Sequence, residues 1–127
     1  MIEIGYSGVK SDPYIVTKGD YLILSNGDRA YIPKGFLFDN ASVPRIIKFL
    51  RDTFHIEFFK YKSLAFCFHD FVYTYRGYQI SPRFLIRPIS RTQADKEMVF
   101  LMDGYTDRQK KIFYLAVRFF GGWYWRT

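Results

Sequence analysis

The sequence predicts an α+β protein in which an N-terminal antiparallel β-meander packs with three C-terminal helices. Short runs of β-branched and aromatic residues alternate with turn signals over residues 1–38, and helical periods dominate after residue 60. The length of 127 residues suits a single domain, 1–127, with one core. Apolar residues make up 49% of the chain, which excludes a disordered protein.

The N-terminal part is divided by turn residues into short strands. Asn26-Gly27 predicts a tight turn that joins strands at 21–24 and 30–33 into a hairpin, and residues 36–38 predict one more strand. A helix start follows, because Ser42 can accept hydrogen bonds from free amides and Pro44 fits a first helical turn. We therefore expect a short helix over 42–50.

Three longer helices are predicted over 61–75, 92–105 and 106–120. The first carries apolar side chains on every face, which is typical of a central, buried helix. Residues 76–91 contain Gly, Pro and four arginines without an acidic residue, and they predict a basic connection. The last helix begins at a capping box formed by Thr106 and Gln109.

Charge and cysteine content restrict the class of protein further. The chain has 19 Lys and Arg against 12 Asp and Glu, a net charge of +7. Cys67 is the sole cysteine, so neither an internal disulfide nor a multi-cysteine zinc site can form. The N-terminus lacks the pattern of a secretory signal, and Arg118 interrupts the most apolar window. We expect a soluble or peripheral protein without a transmembrane segment.

Polar residues on the apolar faces of two predicted helices point to a functional site. His69 and Asp70 lie in the middle of the apolar helix, and Tyr73 shares the helical face of His69. On the next helix, Asp95 falls on the face of Met98. Burial of an imidazole and a carboxylate costs several kcal/mol unless they are paired. Packing of the two helices would let Asp95 accept a hydrogen bond from His69.

Such a pair predicts general-base chemistry. Asp95 would orient His69 and raise the basicity of its other ring nitrogen, which could then activate a water molecule. Tyr73 would support the pair, and Asp70 could hold a divalent cation. The alternative is a satisfied polar network that only fixes how the helices pack.

Three segments, IPKGFLFDNASVPR, AFCFHDFVY and QADKEMVFLM, resemble an uncharacterised family of small proteins, many of them encoded by bacteriophages. The resemblance extends from Ile32 to Phe120, although Phe38 stands where the family often has Thr. It implies a phage or prophage origin, and hence the host cytoplasm or the virion, but no established activity. The site that it implies comprises Asp39, Ser42, His69, Asp70, Tyr73 and Asp95, and the first motif also includes Gly35, Phe36 and Pro44.

The HDFVY segment is also similar to the H-D-x-x-Y helix of phospholipases A2. That similarity implies His69 as general base, Asp70 as a calcium ligand and Asp95 as the residue that orients His69. The chain lacks the glycine-rich calcium loop and the disulfides of those enzymes, so Asp39 would have to be an added ligand. The expected cofactor is thus a divalent cation, calcium rather than zinc.

A metal-dependent phosphohydrolase of the HD type is a rival interpretation. It needs a separate histidine upstream and an aspartate downstream, which His55 and either Asp95 or Asp103 could supply. His55 lies only 14 residues before His69, which is close for two crossing helices. We rank this interpretation below the lipase-like one.

The basic and aromatic surface suggests partners. The arginines of residues 76–91 could bind nucleic-acid phosphates, and Tyr78 and Phe84 lie between them in the sequence. No recognition motif accompanies these residues. The terminal Trp123-Tyr124-Trp125-Arg126 favours a membrane surface, a cover for the core or an oligomer contact. A membrane surface, other virion proteins and a host protein are therefore candidate partners, and nucleic acid is a weaker one.

Two functions follow as hypotheses. The first is a small phage-encoded hydrolase of lipid esters that uses the His69–Asp95 dyad. The second is a non-catalytic virion component of the neck or tail, or a protein that binds a host factor, in which the His/Asp cluster is structural.

Overall fold

A computed structural model describes residues 1–9, 14–38, 64–83 and 85–120, together with Gly122 and Trp125. In this part of the chain there are seven strands and three helices. The strands are β1 (Glu3–Tyr6), β2 (Tyr14–Lys18), β3 (Asp20–Ile23), β4 (Arg29–Ile32), β5 (Leu37–Phe38), β6 (Gly77–Gln79) and β7 (Ile86–Pro88). The helices are α1 (Leu64–Tyr75), α2 (Arg91–Phe100) and α3 (Asp107–Phe120). The predicted helix over 42–50 lies outside the described residues.

The strands form two antiparallel sheets, and the α+β class is confirmed. One sheet has the order β1-β2-β5 and the other β3-β4-β6-β7. The N-terminal strands thus divide between two sheets instead of following one another in a single meander. The chain changes sheets at Gly19, between β2 and β3. A Cβ atom there would lie 2.7 Å from the carbonyl oxygen of Ile32, so only glycine fits.

The hairpin of β3 and β4 has the turn that Asn26-Gly27 predicts. Asp20 pairs with Ile32 and Ile23 with Arg29, and Gly27 has a φ of +87°, which favours glycine. The turn is closed by a hydrogen bond from the amide of Leu24 to the carbonyl of Asp28 (2.8 Å).

The segment 76–91, expected to be a connection, contains β6 and β7. Each strand has three residues, and β6 joins the sheet through the pair Tyr31 and Gln79, which are far apart in sequence. A Cβ atom on Gly77 would lie 2.3 Å from the carbonyl oxygen of Arg87, so glycine permits this close strand pairing. Such short strands depend on tertiary pairing, which explains why the local pattern did not predict them.

The capping residues determine where the last two helices begin. Ser90 and Gln93 form a capping box, so α2 begins at Arg91, and it ends at Phe100 instead of residue 105. Gly104 has a φ of +83°, which excludes it from a helix. The predicted box of Thr106 and Gln109 is present at the start of α3, with both bonds made (3.1 and 3.0 Å).

Helix α1 is central, and every residue from Ala65 to Tyr73 is buried. Phe68 and Phe71 belong to a core cluster that includes the strand residues Val16 and Ile32. Phe66 belongs to a second cluster, with side chains of α2 and α3. This two-sided burial explains the apolar character of α1 on all faces. None of the described helices has the length and apolar character required to cross a membrane.

Candidate functional site

The packing of α1 against α2 brings His69 and Asp95 into contact. The Nε2 atom of His69 lies 2.7 Å from Oδ1 of Asp95, and both side chains have 0% exposure. The contact joins the two polar residues that stand out on apolar helical faces. His69 is supplied by the middle of α1 and Asp95 by the second turn of α2.

Asp95 accepts two further hydrogen bonds. The hydroxyl of Tyr73 donates to Oδ1 (2.6 Å), and the guanidinium of Arg118, on α3, donates to Oδ2 (2.8 Å). The rings of His69 and Tyr73 are 4.1 Å apart between centroids, since the two residues lie one helical turn apart on α1. We call His69, Tyr73, Asp95 and Arg118 the Asp95 cluster.

These partners keep Asp95 ionised. Burial alone raises the pKa of Asp95, but hydrogen bonds from His69, Tyr73 and Arg118 outweigh it and hold the pKa below its ordinary value of 3.8. Burial lowers the pKa of His69 below 6.5, although the bond to Asp95 opposes this shift. Burial, followed by the bond to Asp95, raises the pKa of Tyr73. At neutral pH the cluster therefore holds a carboxylate, a neutral imidazole and a neutral phenol.

The ionised state of Asp95 determines the tautomer of His69. A carboxylate can only accept hydrogen bonds, so Nε2 carries the proton and Nδ1 carries the lone pair. Nδ1 is buried and has no hydrogen-bond partner among the described residues. An unpaired buried acceptor costs roughly 1–3 kcal/mol, so Nδ1 is the costly feature of the cluster. Chemically, it is a proton acceptor positioned by a carboxylate on the opposite side of the ring.

Arg91 connects the cluster to the end of α3. Its guanidinium donates to the carbonyls of Val117 (3.1 Å) and Arg118 (3.2 Å), and it lies 3.5 Å from the Tyr73 hydroxyl. A cation at a helix C-terminus also interacts favourably with the helix dipole. The sequence pattern puts Arg91 in a basic connection, and it shows Arg118 as the charge that interrupts the most apolar window. The one local signal for Arg118 is its position between apolar residues, Val117 and Phe119, near the end of an amphipathic helix.

Asp70 follows His69 and is buried, with 7% exposure. Burial, followed by the charge of Asp70, raises the pKa of the nearby Cys67 thiol. The described residues contain no group of three or more His, Cys, Asp or Glu side chains that could hold a metal ion. Calcium takes six to eight oxygen ligands, which include backbone carbonyls and water as well as carboxylates, so a cation at Asp70 stays a prediction. Asp39, the second predicted ligand, lies outside the described residues.

The described part of the first motif lies against α1. Gly35 has a φ of +92° in the turn before β5, and its amide donates to the carbonyl of Val16 (2.8 Å). The ring of Phe36 contacts Phe71 of α1 edge-on, with 5.0 Å between centroids. Gly35 and Phe36 therefore have a visible packing role. Ser42 and Pro44 lie outside the described residues.

His55, the upstream ligand of the HD-type interpretation, also lies outside the described residues. Asp103, one candidate for the downstream ligand, is exposed in the loop after α2, whereas His69 is fully buried. Asp95, the other candidate, is bonded to His69 itself.

Three arginines of the basic segment have separate partners. Arg76 stacks over the ring of Trp125 at 5.9 Å, Arg87 pairs with Asp28 (3.1 Å), and Arg91 binds the end of α3. Trp125 in turn packs edge-on against Tyr73, with 5.1 Å between centroids, so this part of the terminal aromatic run contacts the core.

Fold and cluster together define a small α+β protein with a buried His–Asp pair between two helices. A family model described as a protein of unknown function, DUF1353, matches residues 16–117. The chain belongs to this family. No curated protein and no solved structure matches it significantly.

Proposed function

We propose that the protein is a hydrolase in which His69 is the general base for a water molecule. The observation that carries this proposal is the unequal state of the two ring nitrogens. Nε2 is bonded to an ionised carboxylate, while Nδ1 is buried with its lone pair unused among the described residues. A purely structural histidine usually has both nitrogens satisfied, because the unpaired one lowers stability.

In the proposed reaction, Nδ1 of His69 accepts a proton from water while the water oxygen bonds to the carbonyl carbon of an ester. The carbon–oxygen bond to the leaving group then breaks, and the imidazolium returns the proton to the departing alkoxide. Asp95 stabilises the transient imidazolium, and Arg118 and Tyr73 hold the carboxylate in place. His69 has 0% exposure, so this chemistry requires that a neighbouring side chain moves to admit substrate.

The finer parts of the proposal are supported by the motif resemblance. They are a bacteriophage or prophage origin, a site in the host cytoplasm or the virion, and lipid esters as substrates. A divalent cation at Asp70 and Asp39 stays a prediction, and no step above uses it.

The test is turnover of an ester panel that includes soluble short-chain esters and phospholipid vesicles. We expect His69→Gln to lower kcat by about 100-fold or more, the usual contribution of a general base. Asp28→Asn is the control, because the Asp28 side chain bonds to Asn26, Tyr78 and Arg87, none of which belongs to the Asp95 cluster. Since Nδ1 must be unprotonated, activity should fall as the pH drops through the lowered pKa of His69.

A second candidate function is favoured by the complete burial of His69 and Asp95. In it the chain is a non-catalytic virion component or a host-factor binding protein, and the cluster rigidifies the fold. Wild-type protein that hydrolyses none of the esters, with His69→Gln lowering only the Tm, would support this candidate and contradict the hydrolase.

A further inference from the structure

A basic groove lies along the junction of α2 and α3, on the surface of the protein. It is open to solvent, has a volume of about 390 Å³ and is lined by Lys96, Val99, Asp107, Lys110, Lys111 and Tyr114. The two helices run antiparallel along the groove. Arg91 contacts the end of α3 at Val117, whereas Val99 shares the groove with Tyr114, nearer the start of α3.

The groove carries an excess of positive charge. Three ammonium groups face one carboxylate, a net charge of +2 from three Lys and one Asp. No ion pair within the described part of the chain engages Lys96, Lys110 or Lys111. Lys110 and Lys111 also lie near the start of α3, where the helix dipole is positive and disfavours cations. The groove therefore keeps a net charge of +2 after the contribution of Asp107 is counted.

The groove also has an apolar wall, formed by the half-buried Val99 and Tyr114. Its volume falls within the range of small-molecule sites, roughly 300–1,000 Å³. Charge, lining and size together favour a small ligand that has an anionic head and an apolar chain.

We propose that the groove of α2 and α3 binds an amphiphilic anion, with the carboxylate or phosphate among the lysines and the chain against Val99 and Tyr114. This site goes beyond the proposed hydrolase and uses none of its residues. Its occupant is either a free amphiphilic acid or an anionic phospholipid, which share this chemistry.

The experiment is calorimetric titration of the full chain with decanoate and decyl phosphate, below their micellar concentrations. We expect saturable binding of one molecule per chain. Decanol lacks the charge, and acetate and inorganic phosphate lack the chain, so all three should bind at least about tenfold more weakly. Flotation with phosphatidylglycerol and phosphatidylcholine vesicles separates the two sources. Binding to anionic vesicles as well identifies a phospholipid, and binding to the soluble probes alone identifies a free acid.

The matched variants carry equal changes in charge. Lys110→Gln with Lys111→Gln should weaken decanoate binding by about tenfold, because two charge-assisted contacts are lost. Lys18→Gln with Lys34→Gln, both on the exposed sheet region, should change it less than about twofold. His69→Gln should bind normally, which separates this proposal from the hydrolase. Equal binding of decanol, equal binding by the groove variant, or binding of a glutamate-rich peptide in place of decanoate would overturn it.

Discussion

Two clusters in this protein combine an aspartate, a tyrosine and an arginine, and they differ mainly in burial. Asp95 has 0% exposure and accepts bonds of 2.6–2.8 Å from His69, Tyr73 and Arg118. Asp28 is 41% exposed, and its Oδ2 accepts longer bonds from Tyr78 (3.3 Å) and Arg87 (3.1 Å). We call this second group the Asp28 cluster.

The comparison shows that environment, and not composition, gives such a cluster its importance. Water can replace the partners of Asp28, so each bond there contributes little. In the Asp95 cluster water is excluded, so each lost partner leaves a buried polar atom unsatisfied. The same three residue types therefore produce a surface network on the sheet and a buried network between α1 and α2.

The largest expected effect is the loss of Asp95. We expect Asp95→Ala to lower the free energy of unfolding by about 3–5 kcal/mol, because two buried donors, His69 and Tyr73, and the half-buried Arg118 lose their acceptor. Asp28→Ala should cost at most about 1 kcal/mol, the range of exposed ion pairs. Urea denaturation with equal m-values measures both. Similar losses for the two variants would remove the distinction between the clusters.

The two tyrosines allow a gentler comparison, in which only a hydroxyl is removed. Tyr73→Phe should lower the free energy of unfolding by about 1.5–3 kcal/mol, since its hydroxyl donates to a buried carboxylate. Tyr78→Phe should cost clearly less, because its bond to Asp28 is 3.3 Å long and partly solvated. Thermal denaturation of the two variants beside wild type gives the ranking. The reverse ranking would show that Asp95 does not depend on the phenol.

The sequence predicts those residues of the Asp95 cluster that a local pattern marks, and it does not predict the one that tertiary packing places there. The periodicity of α1 and α2 singles out His69, Tyr73 and Asp95, because a polar residue on an apolar face is a local anomaly. The structure brings these three together. Arg118 carries no such anomaly, since a long cation at the edge of an amphipathic face is ordinary. Its role depends on the tertiary packing of α3, which a local sequence pattern does not predict.

The fold shows the same limit. The hairpin at Asn26-Gly27 and the capping box at Thr106 are local, and both are present in the structure. Strand β6 pairs with the edge of β4 and β7 pairs with β6, and the end of α2 depends on Leu101 and Gly104. Local sequence patterns therefore predict the α+β class but not the strands that only tertiary pairing creates.

A pH series tests the state of His69, which has no counterpart in the Asp28 cluster. The folded pKa of His69 is below the unfolded value of 6.5, so the unfolded chain takes up a proton first as the pH falls. Above pH 6.5 the contribution of His69 is complete, and it is lost as the pH drops toward the folded pKa. The stability advantage of wild type over His69→Gln should therefore shrink below pH 6.5. An advantage that grows instead would mean that His69 is charged in the folded protein.

The smallest effect is the response of the two ion pairs to salt. Double-mutant cycles with Asp→Asn and Arg→Gln changes measure the coupling between Asp95 and Arg118, and between Asp28 and Arg87. Raising the ionic strength from about 0.1 M to about 1 M shortens the Debye length from roughly 10 Å to 3 Å. The Arg87 side chain is 57% exposed, so its coupling to Asp28 should fall toward zero. Arg118 is 31% exposed and its partner fully buried, so most of that coupling should survive. If salt removed both couplings equally, water would reach Asp95, and the buried dyad would have a path to solvent through Arg118.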